Sequence, residues 1–189
     1  MHNNLPKLYI FMDKYNDEIF NNNITNIAVI YRNYYSKQRE SELIKIACAC
    51  KKYRYKLFVS NDRNLALKVK ADGIYIPSFN RKARFLNLEN KLLTLLGSAH
   101  NQKEINEKIT QKCKAIFIAP LFNVKKKRKS LGLYKFNMLA ASNKINALAL
   151  GGINETNINK LKNLNIKGFG GIGLFKKKTG LKKGRFFKD

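Results

Sequence analysis

Eight short apolar runs recur along this chain, at residues 8–12, 27–31, 57–60, 73–76, 91–96, 115–119, 145–150 and 168–173, and most are followed by an amphipathic stretch. Leu43, Ile44 and Ala47 fall at helical spacing within 41–50, and further helices read over 64–69, 102–112 and 133–142. Asn154 is placed to cap a last helix running to residue 164. Asp13, Pro77, Gly97-Ser98 and Pro120 punctuate the strands they follow. Eight strands alternating with helices, or with loops in their place, is the count of a (β/α)8 TIM barrel. The expectation is a compact single-domain α/β barrel over residues 1–175, followed by a basic tail over 176–189.

Glycine placement separates the barrel from an open doubly wound sheet, the other fold with this alternation. The open sheet carries its glycine-rich loop after the first strand, and none stands there. Glycine pairs stand instead in Ala149-Leu-Gly-Gly-Ile-Asn154 and Gly168-Phe-Gly-Gly-Ile-Gly-Leu-Phe175. Barrels hold phosphate after strands seven and eight, where glycine admits an anion close to the backbone and the next helix points free N–H groups at it. The pair predicts a phosphorylated small-molecule ligand.

Charge competes with that reading. The formal net charge is +26 over 189 residues, a balance that in general favours nucleic acid. The excess is almost all lysine spread along the chain, however, rather than arginine and aromatics gathered on one element, so nucleic acid is not the expected partner. Two clusters stand out, Lys125-Lys-Lys-Arg-Lys129 and the run from Lys176 to Arg185. Both follow expected strands, where an anionic substrate sits in a barrel. Tyr31, Tyr34 and Tyr35 read either as a stacking patch or as a plug for the barrel mouth.

No apolar run approaches the ~20 residues of a membrane span, and residues 1–6 do not read as a signal peptide; a cytoplasmic protein is expected. Cys48 and Cys50 lie two residues apart on an expected helix and so point to different faces. With Cys113 they read as reduced packing residues. His2 and His100 are too few for a histidine metal site, and His100 reads as a loop residue rather than a general base.

Together, Leu8-Tyr-Ile-Phe-Met-Asp13, Ser60-Asn-Asp-Arg63, Ala71-Asp-Gly-Ile74, Ala119-Pro-Leu-Phe122, Ala149-Leu-Gly-Gly-Ile-Asn154 and Gly168 to Phe175 resemble, in order, the thiamine-phosphate synthase and TenI family. The resemblance implies a (β/α)8 barrel that joins a hydroxymethylpyrimidine diphosphate to a thiazole phosphate and releases pyrophosphate. It implies Arg32 as the diphosphate-binding arginine, Asn61 as a diphosphate contact and Asp62 as a Mg²⁺ ligand, with Asn80 as a second. Lys127 falls at the family's diphosphate lysine, in a loop whose register also admits Lys125, Lys126 or Arg128. Ser98 matches a serine near the reacting pyrimidine. Gly151, Gly152, Gly171, Ile172 and Gly173 match the thiazole-phosphate cradle.

The chain departs from that family on one side of the site. The Gln-x-Arg-x-Lys pattern reads Ile30-Tyr-Arg-Asn-Tyr34, the acidic ligand after strand four becomes Asn80, and the threonine-rich turn after strand six reads Asn123-Val-Lys125. A neutral ligand weakens Mg²⁺ binding, because carboxylates supply most of a site's affinity for hard cations. Three readings follow: a diverged synthase using Mg²⁺, a TenI-like isomerase or salvage protein that binds only thiazole phosphate, and a non-catalytic basic barrel that binds phosphate or nucleic acid. The oligomeric state is left open.

Overall fold

The computed structural model describes residues 5–20, 25–82, 93–124, 129–143 and 145–171. Lys127, Ile172, Gly173 and the basic tail therefore lie outside the described residues. Eight parallel strands close into a barrel in chain order: β1 (Leu8–Met12), β2 (Ile27–Tyr31), β3 (Lys56–Ser60), β4 (Gly73–Ile76), β5 (Thr94–Ala99), β6 (Ala115–Ile118), β7 (Ala147–Leu150) and β8 (Gly168–Gly171). β8 returns to β1 through the pairs Leu8–Phe169, Tyr9–Gly170 and Ile10–Gly171, which leaves no open edge. The helices are α1 (Arg39–Tyr53), α2 (Arg63–Lys68), α3 (Gln102–Thr110) and α4 (Gly132–Ser142).

Alternation along each strand makes two cores. Residues facing outward, such as Leu8, Ile10, Val29, Leu57, Val59, Ile116 and Ile118, pack with Leu43, Ile46, Ile105, Phe136 and Leu139 of the helices. Those facing inward fill the barrel with Tyr9, Phe11, Phe58, Tyr75 and Phe117, together with Ala28, Ile30, Leu96, Ala115 and Leu148. The rings meet mainly edge to face: Tyr9–Phe117 at 5.1 Å, Phe11–Tyr75 and Phe11–Phe117 at 5.4 Å. Such pairs favour contact of a ring's positive edge with its neighbour's negative face.

So many rings fit only because other strands give up their side chains. A Cβ on Gly170 would lie 3.1 Å from the Phe11 ring and 3.2 Å from Phe117, and one on Gly73 would strike Thr94 O at 2.0 Å and Phe58 at 2.6 Å. The glycines of β8 thus serve interior packing as well as any ligand.

Two boundaries differ from the sequence reading in ways that matter. The fifth strand starts and ends later, so Gly97 and Ser98 lie within β5 rather than in a closing turn. Gly97 is there because its missing side chain makes room for Lys108, whose Cγ and Cδ would be 2.9 Å from a Cβ. The expected last helix is a short 3₁₀ segment, Ile158–Asn163. Asn154 instead caps a turn, its Oδ1 accepting from the N–H groups of Thr156 (3.0 Å) and Asn157 (3.2 Å). Cys48 is exposed and Cys50 buried, as their spacing on one helix required.

The Tyr9 hydroxyl is buried inside the barrel without a hydrogen-bond partner, and burial raises its pKa. An orphaned hydroxyl costs on the order of 1–3 kcal/mol of desolvation. Tyr9→Phe is therefore expected to leave the fold as stable or raise its stability by up to ~1 kcal/mol; urea unfolding that showed a loss of ~2 kcal/mol or more would mean that the hydroxyl has a partner.

Candidate active site

Arg32 leaves the end of β2 with its N–H bonded to Met12 O at 2.9 Å. Its guanidinium forks onto Asp13, Nε to Oδ1 at 3.4 Å and Nη2 to Oδ2 at 3.5 Å, and lies 5.6 Å above the Phe11 ring. The aromatic interior thus ends in a cation at the C-terminal mouth of the barrel, the face that carries the sites of such folds.

The strand after it ends in Ser60-Asn61-Asp62. Asn61 has φ 58°, a left-handed conformation that asparagine tolerates, and bonds through its N–H to Tyr75 O at 2.9 Å. Asp62 caps α2, Oδ1 accepting the Leu65 N–H at 3.0 Å. Its other oxygen, Oδ2, accepts from Arg39 Nη1 at 3.1 Å, while Arg39 Nη2 donates to Ser60 O at 2.6 Å. Tyr34, the expected lysine's replacement, hydrogen-bonds Ser60 Oγ at 2.6 Å and places its ring 6.0 Å from the Arg39 guanidinium and 5.8 Å from Phe79. Ile30 is wholly buried in the barrel interior, where a polar replacement would need a partner.

From the neighbouring strand end, Asn80 donates through Nδ2 to Asn61 Oδ1 and accepts the Lys82 N–H through Oδ1 at 2.9 Å. Ser98, on β5, is buried and hydrogen-bonds the Tyr75 hydroxyl, whose pKa burial pushes up to about 12. The structure therefore gathers Arg32, Asn61, Asp62, Asn80 and Ser98 around β2 to β5 at one end of the barrel.

The glycine turn forms the opposite wall. Gly151 and Gly152 have φ +97° and +69°, which L side chains rarely adopt. A Cβ at Gly152 would also lie 2.6 Å from Asn123 O, and one at Gly151 would lie 2.8 Å from Pro120. The loop after β6 thus packs directly on the turn, held by Phe122 N–H to Gly151 O at 3.0 Å. No described residue accepts a hydrogen bond from the N–H of Gly152 or Ile153. Gly171 ends β8 beside Ile10.

As arranged, the donors do not fit a Mg²⁺ ion. Both Asp62 oxygens are engaged, and the Asn61 and Asn80 side-chain oxygens each accept a hydrogen bond within the wall. Among the described residues no group of three or more His, Cys, Asp or Glu side chains comes together to hold a metal. An octahedral hard cation that retains water is held by carboxylate oxygens, and here the one carboxylate on this strand end is already charge-paired with Arg39 and capping α2.

Sequence reasoning missed three residues. Arg39 lies just before the expected helix of 41–50; only the fold brings it to Asp62. Glu104 follows Asn101 at capping-box spacing, a local signal that was visible: Asn101 Oδ1 accepts the Glu104 N–H at 2.9 Å. Glu104 Oε2 in turn meets both the N–H and Nδ1 of His100 at 2.8 Å, so that ring is held at the start of α3. Lys108 is wholly buried. Its ammonium donates to Asn80 O at 2.6 Å and Gln111 Oε1 at 2.9 Å, and Gln111 Nε2 donates to the carbonyls of Asn80 (3.1 Å) and Lys82 (2.9 Å). Helix α3 thereby pins the loop that carries Asn80.

Fold and mouth together define a (β/α)8 barrel with a polar, arginine-bearing wall facing a glycine turn. The chain belongs to the thiamine monophosphate synthase family, whose sequence profile matches residues 15–173. It is 35% identical over 136 residues to a thiamine-phosphate synthase of Prochlorococcus marinus, covering 69% of this chain and 38% of that protein. A second strain's thiamine-phosphate synthase is 34% identical over 130 residues, 67% of this chain and 37% of that protein. The chain thus spans well under half the length of these curated relatives. Among solved structures, a thiamine phosphate pyrophosphorylase from Pyrococcus furiosus superposes with a TM-score of 0.74 at 21% identity, over 90% of this chain and 87% of that one. A structure described as native KDPGal reaches 0.68 at 13% identity, over 93% and 86%. These likenesses establish the barrel alone. No described helix is long and apolar enough to cross a membrane.

Two substitutions test this construction. Gly152→Ala is expected to cost on the order of 1–3 kcal/mol in urea unfolding, since it combines left-handed strain with a backbone clash. Lys108→Met is expected to cost about 1–3 kcal/mol near neutral pH through lost charged hydrogen bonds. Burial lowers the Lys108 pKa below its usual 10.5. Between the lowered value and 10.5 the unfolded chain binds the extra proton, so the wild type gains stability over Lys108→Met as pH rises through that window. Paired unfolding curves from about pH 7 to about pH 10 measure the widening gap.

Proposed function

We propose that the chain acts as a thiamine-phosphate synthase-like transferase, joining a hydroxymethylpyrimidine diphosphate to a thiazole phosphate with release of pyrophosphate. The observation that carries this reading is the two-walled mouth. Arg32 follows β2, Asn61 and Asp62 follow β3 and Ser98 stands on β5, while the Gly151-Gly152 turn follows β7. A two-substrate condensation needs one wall for each phosphorylated half.

The demands of the reaction divide between those walls. When the bond to the diphosphate breaks, the electron pair leaves on the diphosphate, so positive charge and N–H donors must already face its oxygens. Arg32 supplies a planar fork suited to bidentate contact, after exchanging its long, exposed pairing with Asp13 for the ligand. Asn61, on the next strand end, is held by Asn80. The thiazole phosphate takes the opposite side, where the N–H groups of Gly152 and Ile153, which have no acceptor among the described residues, offer partial positive charge. The aromatic interior closes the floor, so both substrates meet above Phe11, Tyr75 and Ser98 and below solvent.

A second reading has a specific observation in its favour. Ile30 and Tyr34 stand where the family's diphosphate side has two polar groups, while the Gly151-Gly152 turn has both glycines at positive φ, which favours a TenI-like protein that takes the thiazole phosphate alone.

Incubating the purified chain with both phosphorylated halves in millimolar Mg²⁺ separates the two. Thiamine phosphate is expected to form, and Arg32→Ala is expected to slow its formation ~100-fold or more, the range for losing one preorganised donor to a developing anion. No product, with thermal stabilisation by thiazole phosphate but not by pyrophosphate, establishes the second reading instead.

A further inference from the structure

Arg39 stands where the wall needs a fixed positive charge and where the donors for a metal ion are already committed. Its guanidinium bridges Asp62 Oδ2 at 3.1 Å and Ser60 O at 2.6 Å, joining the two ends of the Ser60-Asn61-Asp62 turn. Beneath it lies the Tyr34 ring at 6.0 Å, occupying the position where the family resemblance expects a lysine. Guanidinium stacks on such a face at little desolvation cost, unlike ammonium. The guanidinium carries five N–H donors and the contacts to Asp62 and Ser60 use two of them; the Nε–H is buried and has no partner among the described residues.

We propose that the Arg39 guanidinium is the resident cation of this wall, taking the place of a divalent metal, so that a diphosphate binds here without Mg²⁺. The inference rests on the reading of this wall as the diphosphate side. A divalent ion at Asp62 would share its carboxylate with the Arg39 guanidinium and sit beside that cation, a repulsion strengthened by partial burial. The remaining oxygens, those of Asn61 and Asn80, are neutral and already accept hydrogen bonds. Arg39 costs no recruitment: α1 delivers it from its first residue, and Asp62, capping α2, holds it in place. The Tyr34 hydroxyl shares a 2.6 Å hydrogen bond with Ser60 Oγ, which holds its ring under the guanidinium. Two departures from the family, Tyr34 and Asn80, then have one cause. With an arginine as the cation, the lysine and the acidic ligand lose their purpose.

The test is calorimetric titration of inorganic pyrophosphate into the full chain, once with EDTA and once with millimolar Mg²⁺, alongside Mn²⁺ binding followed by electron paramagnetic resonance without any other ligand. Pyrophosphate is expected to bind in EDTA within ~3-fold of its affinity with Mg²⁺, and Mn²⁺ is expected to show no site that Asp62→Asn removes. Arg39→Gln is expected to weaken pyrophosphate binding in EDTA ~10-fold or more, and Arg39→Lys to recover only part of it, because ammonium lacks the fork. Lys160→Gln, on the exposed 3₁₀ segment, controls for general attraction to this basic chain and is expected to leave the affinity unchanged. Binding that requires Mg²⁺, a Mn²⁺ site that depends on Asp62, or an Arg39→Gln loss no greater than that of Lys160→Gln would each overturn the inference and leave the transferase reading standing. No pyrophosphate binding in either buffer would overturn both. The wild-type Mn²⁺ measurement decides the metal question even if the Arg39 variants fold poorly.

Discussion

Closure of β8 onto β1 is the constraint on which the rest of this molecule depends. Four-residue strands such as β4, β6, β7 and β8 have little ladder of their own, and a closed sheet is what lets each pair on both sides. Closure in turn fixes the volume inside. The chain fills that volume with five large rings and balances them with glycine at 73 and 170, so the floor of the mouth is an aromatic plug. Everything chemical is mounted above the plug, on strand ends whose positions the closure has already set.

Two kinds of information were legible in the sequence to different degrees. Strands with a strict apolar run and a polar stop, such as residues 8–12 and 27–31, were read to the residue, because burial in a parallel sheet demands such runs. Gly97-Ser98 misled because a glycine reads as a turn unless one knows that a buried lysine presses on it from the adjacent helix. The last helix was overextended for a related reason: Asn154 has the chemistry of a helix cap, and a turn uses the same chemistry.

The site followed the same division. Residues that the chain itself brings to a strand end, Arg32, Asn61, Asp62 and Asn80, could be placed from their neighbours in sequence. What each of them does there depends on partners at long separation. Arg39 reaches Asp62 across 23 positions and Lys108 reaches Asn80 across 28, and nothing local announces either contact. A carboxylate read alone looks available to a metal; the same carboxylate with a helix cap on one oxygen and an arginine on the other is a structural joint.

The buried Lys108 ammonium has one more consequence. Because it and Gln111 hold the carbonyls of Asn80 and Lys82, the described start of the loop after β4 is anchored on α3 and the residue that follows it. Helix and loop therefore open as a single cooperative unit. Amide hydrogen exchange along α3 and at the N–H groups of Asn80 and Lys82 would share one opening free energy, although the two segments are separate in sequence and on either side of a strand. Local stability in one arm of the barrel thus sets how long its polar wall stays assembled.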